Sequence, residues 1–245
     1  MLDVICTAVF RDGKKLYDHY KSIDHPVKRY FIIDNSCGAD VSVSASIEMI
    51  YDDWENTTSP IEQLYVLETT QNTGYAGAVN LAVKQNTDCR HWIFTGFDWY
   101  VEPGELERLE KVIDQYPNGM ALGEGNDTMC GVVLTPQLIA SVGLMDENFH
   151  PGYYEDNDYC YRQKLAGVHM ASFPLKNKHI TSSTLNSSTH FRHRNKVTFT
   201  NNFDYYVEKW GGPPNRETYQ TPFDKGYPID YWKYDPQRIQ AHSWT

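Results

Sequence analysis

The chain has 245 residues and a formal net charge of −10, with 32 Asp and Glu against 22 Lys and Arg. That length suits one large domain or two small ones, and it buries a core without help from disulfides or metal. The acid surplus argues against general nucleic-acid binding, which needs clustered Lys and Arg, and it accompanies an aromatic surplus of 18 Tyr, 10 Phe and 6 Trp.

In chain order, residues 2–9 form an apolar, β-branched run that reads as a first strand. Asp3 inside that run, and the charges after it, argue against a signal peptide. A short helix is expected over 13–22, a strand over 30–33 stopped by Asp34-Asn35-Ser36-Cys37-Gly38, and another strand over 64–67. Residues 76–85 have helical spacing, 91–95 read as a strand, and 103–116 as a helix opened by Pro103. Strands alternating with helices predict a mostly parallel sheet covered on both faces.

Further on, 128–134 reads as a strand, 136–142 as a short helix, and 157–166 as a helix closed by Gly167 in a left-handed cap. Residues 168–173 and 176–180 look like strands, 185–189 like a loop, and 196–210 like a helix. The last 30 residues carry Pro222, Pro228 and Pro236 among Tyr219, Phe223, Tyr227, Tyr231, Trp232, Tyr234 and Trp244. So many rings predict an irregular but packed extension, which covers an acceptor site or makes a homodimer contact. The expected division is one domain over 1–211 and an extension over 212–245 packed on it.

No apolar run approaches the roughly 20 residues of a membrane span. Five scattered cysteines, Cys6, Cys37, Cys89, Cys130 and Cys160, include no Cys-x-x-Cys pair. Reduced buried thiols, no zinc site and a cytoplasmic address are expected.

Open parallel sheets bind ligands outside the carboxyl ends of their strands. Thr7, the Asp34-Asn35-Ser36 turn, the 70–77 segment and Asp98 occupy such places. Gly74 and Gly77 bracket a helix start whose free N–H groups suit a phosphate or the edge of a base. Asp98 after its strand suits Mg²⁺ or Mn²⁺. Residues 145–158 hold five carboxylates and no Lys or Arg. A helix N-terminus accounts for part of this, and Asp158 with Arg162 has ordinary salt-bridge spacing. Glu155-Asp156 after Gly152-Tyr153-Tyr154 adds a carboxylate pair beside rings, a sugar-binding look in which the neighbouring acid and partial burial raise one pKa toward a base's range. Trp99 and Tyr100 are further candidate sugar platforms. His190-Phe191-Arg192-His193-Arg194-Asn195-Lys196, the one dense basic cluster, suits a diphosphate.

Together these segments resemble glycosyltransferase family 2 with the GT-A fold, in its rhamnosyltransferase-like members. The resemblance runs over about 1–211 through five ordered segments: Phe31-Ile32-Ile33-Asp34-Asn35-Ser36, the stretch 72–80, the stretch 94–103, the stretch 143–162, and His179 with Ser182-Ser183-Thr184. It implies a mixed, mostly parallel α/β sheet flanked by helices, and inverting transfer from a UDP-, dTDP- or GDP-sugar to a hydroxyl of a glycan acceptor. It further implies Asp34 on the nucleobase, with Thr7 and Asn35 beside it. Asn72, Gly74 and Asn80 would line the donor pocket, and Arg192 and Arg194 would meet the diphosphate. Asp98 would hold Mn²⁺ or Mg²⁺ with help from His179, and Asp156 of the Glu155–Asp156 pair would be the general base. The usual Asp-x-Asp metal motif has Gly96 in its first place here. A sugar-nucleotide nucleotidyltransferase is disfavoured because Thr7–Arg11 lacks a Gly-rich triphosphate clamp. A non-catalytic carbohydrate-binding protein is the other alternative.

Overall fold

A computed structural model describes residues 1–123, 129–180 and 189–225. The expectations for Ser182, Ser183, Thr184, the rest of the 185–189 loop before Thr189, and the rings from Tyr227 to Trp244 lie outside the described residues, as does the side chain of His190.

Three parallel strands, β1 (Leu2–Val9), β2 (Val27–Asp34) and β3 (Ile61–Glu68), alternate with helices α1 (Gly13–Lys21) and α2 (Val41–Asn56). After α3 (Gly74–Gln85), strand β4 (Trp92–Thr95) joins β1 in parallel, and a short β5 (Trp99–Val101) follows. Then come α4 (Glu105–Glu110), β6 (Met120–Ala121), β7 (Gly131–Leu134), α5 (Pro136–Val142) and α6 (Glu155–Ala166). The described part ends with β8 (Ala171–Ser172), β9 (Asn177–His179) and α7 (Thr189–Trp210). The sheet order is β3-β2-β1-β4-β7-β6-β8, with only β7 antiparallel to its neighbours, and β5 pairs separately with β9.

Strands β1, β2, β4 and β7 are buried on both faces, which is why they read as continuous apolar runs rather than alternating ones, whereas the edge strand β3 exposes Glu62, Tyr65 and Glu68. Leu2, Ile5, Val9, Tyr30, Ile32 and Ile93 face a core shared with Leu16, Tyr20, Val43, Ile50 and Leu106. Val4, Cys6, Phe31, Ile33, Trp92 and Phe94 face the other, shared with Ala76, Val79, Leu138, Val142 and Tyr159. Helix α2 was not expected, because its Val-Ser-Val-Ser-Ala-Ser opening alternates like a strand. Asp40 decides for a helix: its carboxylate caps the first turn, accepting from the N–H groups of Ser42 and Val43 at 3.0 and 3.2 Å. The expected helix over 103–116 is shorter, α4 followed by a 3-10 turn at Ile113–Gln115.

The aromatic surplus resolves into a third cluster. Phe149, Tyr161, Tyr205, Tyr206 and Trp210 pack where α6 meets α7. The chain then turns back: Tyr161 donates to the Tyr219 carbonyl at 2.7 Å, Tyr206 donates to Glu217 at 2.6 Å, and Phe223 lies against Tyr205. Residues 212–225 are therefore held on the same body. All five cysteines are free; Cys6 and Cys89 are buried, Cys37 and Cys130 partly so, and Cys160 is exposed. No described helix is long and apolar enough to cross a membrane.

Candidate active site

The carboxyl ends of β1, β2 and β4 face one edge of the sheet, and the loops after them are laced together there. Asp34 closes β2, 3 % exposed, with Oδ1 accepting from Ser36 N–H at 2.8 Å. Asn35 Oδ1 accepts from the N–H and hydroxyl of Thr73 at 3.2 and 2.9 Å. Asn72 Oδ1 accepts from Gly74 N–H at 2.9 Å, fixing the turn that opens α3.

Two bonds dock this turn onto the segment that leads to α6. Tyr75 N–H donates to the Pro151 carbonyl, and His150 Nε2 donates to the Asn72 carbonyl, each at 2.8 Å. Gly74 makes the approach feasible, with φ of +68° and a position where a Cβ would lie 2.8 Å from the Pro151 oxygen. Gly74→Ala is thus expected to combine about 1–2 kcal/mol of left-handed strain with a steric clash. Urea denaturation should show the loss, and nucleotide affinity should fall with it.

Thr7 and Asn80 stand differently from the expectation that they line the donor pocket. Thr7 is fully buried and donates to the Thr95 carbonyl at 2.9 Å. It belongs to a polar seam in which His19 bridges Tyr30 and Thr95 at 2.8 Å each, its pKa pushed down to about 3 by burial so that it stays neutral. Asn80 is 1 % exposed; it accepts from Met145 N–H and donates to the Met145 carbonyl and to Glu147, all within 2.9 Å. Each braces a loop from inside, because every polar atom it has to offer already has an internal partner.

Asp98 lies between β4 and β5, buried at 9 % exposure. The β5–β9 ladder sets Trp99 opposite His179, which brings His179 Nε2 to 3.8 Å from Asp98 Oδ1. A side chain at Gly96 would press on that carboxylate, since a Cβ there lies 3.0 Å from Oδ1. Among the described residues no group of three or more His, Cys, Asp and Glu is placed to hold a metal. One carboxylate and one imidazole are nevertheless a fitting partial donor set for Mn²⁺ or Mg²⁺, which take their remaining ligands from water and substrate phosphates.

Glu155 and Asp156 open α6, as their sequence context predicts. They are unequal. Glu155 is 8 % exposed, and its Oε2 has no hydrogen-bond partner among the described residues. Burial, and then the neighbouring Asp156, push its carboxyl well above the usual range. Asp156 is half-buried, and burial raises its pKa from the ordinary value while its Oδ1 accepts from Asn157 N–H at 2.7 Å. Of the pair, Asp156 is the carboxylate within reach of solvent.

The rings divide as well. Trp99 is 1 % exposed and belongs to the first core, so it is no sugar platform, and the hydroxyl of Tyr100 is buried. Tyr154 is enclosed by Phe199, Phe203 and Tyr206. Arg192 and Arg194 sit on the first turns of α7 rather than in a loop; Arg192 is exposed and Arg194 half-buried.

Behind the site lies a group that sequence reasoning missed. Lys209 is fully buried, its Nζ 2.8 Å from Asp146 Oδ2 and 2.5 Å from Asp158 Oδ1, both carboxylates also at 0 % exposure. Arg162 binds Asp158 Oδ2 at 2.8 Å, Trp210 Nε1 donates to Asp158 Oδ1 and Tyr205 to Asp146 Oδ2. The pair Asp158–Arg162 is therefore not an ordinary surface bridge. Burial alone raises the Asp158 pKa, but Lys209 and Arg162 outweigh it and hold the carboxyl below its usual range. A lone Lys near a helix C-terminus gives no sign of this, since that is a common solvated position.

Comparison with known proteins agrees with this architecture. No family profile matches the chain. Over 158 residues it is 29 % identical to a galactofuranosyl glycosyltransferase of Leishmania donovani, covering 55 % of this chain and 36 % of that protein. The crystal structure of S. aureus TarS superposes with a TM-score of 0.54 at 13 % identity, over 82 % of this chain and 43 % of the other. GalNAc-T7 with UDP, GalNAc and Mn²⁺ superposes with a TM-score of 0.52 at 8 % identity, over 99 % of this chain and 54 % of that one. These likenesses establish the fold as GT-A, a mixed and mostly parallel sheet flanked by helices. The chain spans about a third of the length of the curated relative it matches.

Proposed function

We propose that this protein is an inverting, family 2-like glycosyltransferase that moves a sugar from a nucleotide-diphosphate donor to a hydroxyl of a glycan acceptor. One observation carries the reading: Asp34, the Asn72–Gly74 turn and Asp98 share one sheet edge, and the bond between Pro151 and Tyr75 docks the segment leading to Asp156 against it. The sequence likeness to a galactofuranosyl glycosyltransferase supports the class of activity. It also makes UDP-galactofuranose the first donor to test, ahead of the dTDP-rhamnose suggested by the 72–80 segment.

In this reading Asp34 accepts from the nucleobase, while Asn35 and Asn72 keep its loop in register. The N–H groups of Gly74 and Tyr75 at the start of α3 are already taken by Asn72 Oδ1 and the Pro151 carbonyl, so the expectation of free N–H groups for a phosphate fails for these two, and their part is to fix the turn beside the donor. Asp98 with His179 would hold Mn²⁺ or Mg²⁺, which when bound would supply positive charge toward the diphosphate. Arg192 and Arg194 stand on α7 to meet the same oxygens. Asp156 removes the acceptor proton as that oxygen attacks the anomeric carbon, and the nucleoside diphosphate leaves from the opposite face. The address we assign is the cytoplasm.

Calorimetry with UDP, with and without Mn²⁺, tests the reading. Wild-type protein should bind UDP, and Asp98→Asn should lose about tenfold or more of the Mn²⁺-dependent affinity, roughly 1.4 kcal/mol. Failure to bind UDP, dTDP or GDP sinks the proposal. Pyrophosphate release from a nucleoside triphosphate would favour the nucleotidyltransferase, and glycan binding indifferent to nucleotide the carbohydrate-binding protein.

A further inference from the structure

Gly152, Tyr153 and Tyr154 carry the chain into α6 through two consecutive non-glycine residues in the left-handed region, with φ of +80° at Tyr153 and +69° at Tyr154. Each such residue costs about 1–2 kcal/mol, so the conformation needs an external hold. Asn202 on α7 supplies it: buried at 3 % exposure, its Nδ2 donates to the Gly152 carbonyl at 2.8 Å and to the Tyr153 carbonyl at 3.3 Å. Sparsely populated backbone held by neighbouring structure is a pointer to function.

The hold turns the Tyr153 ring toward Phe199, one turn earlier on α7, with centroids 5.3 Å apart and planes at 71°. Phe199 is 47 % exposed, and Val197 beside it 44 %. Further along α7, Tyr205, Tyr206 and Trp210 are each at most 4 % exposed, and Phe203 is half-buried. Tyr154, by contrast, is used in packing. The exposed Phe199, with the half-buried Tyr153 against it, thus forms a ring pair three residues before the half-buried Asp156, counted from Tyr153.

We propose that Tyr153 and Phe199 form the platform on which the acceptor sugar stacks, and that Asn202 is its positioning residue. The inference rests on the glycosyltransferase reading and names the acceptor side of that site. The occupant is a sugar ring: its C–H face suits an aromatic face in water, while its hydroxyls stay solvated or reach the adjacent carboxylate. A purely apolar partner would leave Asp156 desolvated without a hydrogen-bonding group, which is costly.

The test uses the full chain loaded with UDP and Mn²⁺ and titrated with methyl glycosides of glucose, galactose, N-acetylglucosamine, mannose, rhamnose and galactofuranose, read by saturation-transfer NMR. At least one should bind. Phe199→Ala and Tyr153→Ala should each weaken it about tenfold, Phe199→Trp should keep it, and UDP affinity should stay unchanged in all three. Asn202→Ala should weaken the glycoside while leaving UDP bound. If no glycoside binds the wild type, or if one binds Phe199→Ala as well as wild type, the platform is wrong. Loss of UDP binding by the wild type itself strikes instead at the glycosyltransferase reading.

Discussion

Asp156→Asn is expected to cut sugar transfer by about a hundredfold to ten-thousandfold while nucleotide affinity stays within about twofold of wild type. The amide keeps the side chain's shape but cannot take up the acceptor proton. The pH profile carries the sign. Burial raises the Asp156 pKa above its ordinary value, so kcat/KM should fall on the acid side through a limb displaced upward from that of a free aspartate. The base must be ionised, so activity is present above that pKa and lost as pH drops through it. Glu155→Gln should leave the limb in place, since burial rather than Glu155 is what raises the Asp156 pKa. Initial rates of nucleoside diphosphate release across pH check both statements. Undiminished transfer by Asp156→Asn, with inversion retained, would remove Asp156 from the role of base.

Lys209→Met should destabilise the fold by about 3–5 kcal/mol, although the residue is remote from any substrate. The side chain is of similar length and apolar, so little packing is lost. What is lost is the ammonium between Asp146 and Asp158, two carboxylates at 0 % exposure. Asp158 keeps Arg162, while among the described residues Asp146 keeps neutral partners such as the Tyr205 hydroxyl and Asn148. The folded-state pKa of Asp158 lies below its unfolded value. Its contribution to stability is therefore fully present above the unfolded pKa and is lost as pH falls through the folded one. In Lys209→Met Asp158 loses that support and gains a proton more readily, so the deficit against wild type should shrink on acidification. Urea unfolding at neutral and mildly acidic pH measures this. A loss below about 1 kcal/mol at neutral pH would mean that the cluster is solvated rather than buried.

The fold was legible largely because its central strands are buried on both sides. Continuous runs such as Val4-Ile5-Cys6 and Tyr30-Phe31-Ile32-Ile33 announce parallel strands. The turn residues after them, Asp34-Asn35-Ser36 and Asn72-Thr73-Gly74, announce an edge where something binds. Gly167 in a left-handed cap and the acids at the start of α6 were equally readable, because each is a local backbone or dipole effect. Helix α2 was obscured by its alternating Val and Ser, and Trp99 looked like a platform because an aromatic beside a candidate ligand residue looks the same whether it faces water or core.

Local spacing and composition thus determined the order of the elements, the two-sided sheet and the residues at its carboxyl edge. Those depend on contacts within a few residues, and a sequence prints them directly. Only the tertiary structure decided which distant groups meet. It set His179 beside Asp98 through the β5–β9 ladder, closed Asn80 into a brace on Met145, and buried Lys209 between Asp146 and Asp158, some fifty to eighty residues apart in the chain. It also separated Glu155 from Asp156, since adjacent acids at one helix start differ only in how much water each has lost. Desolvation is a property of everything packed around a group, and no short stretch of sequence contains it.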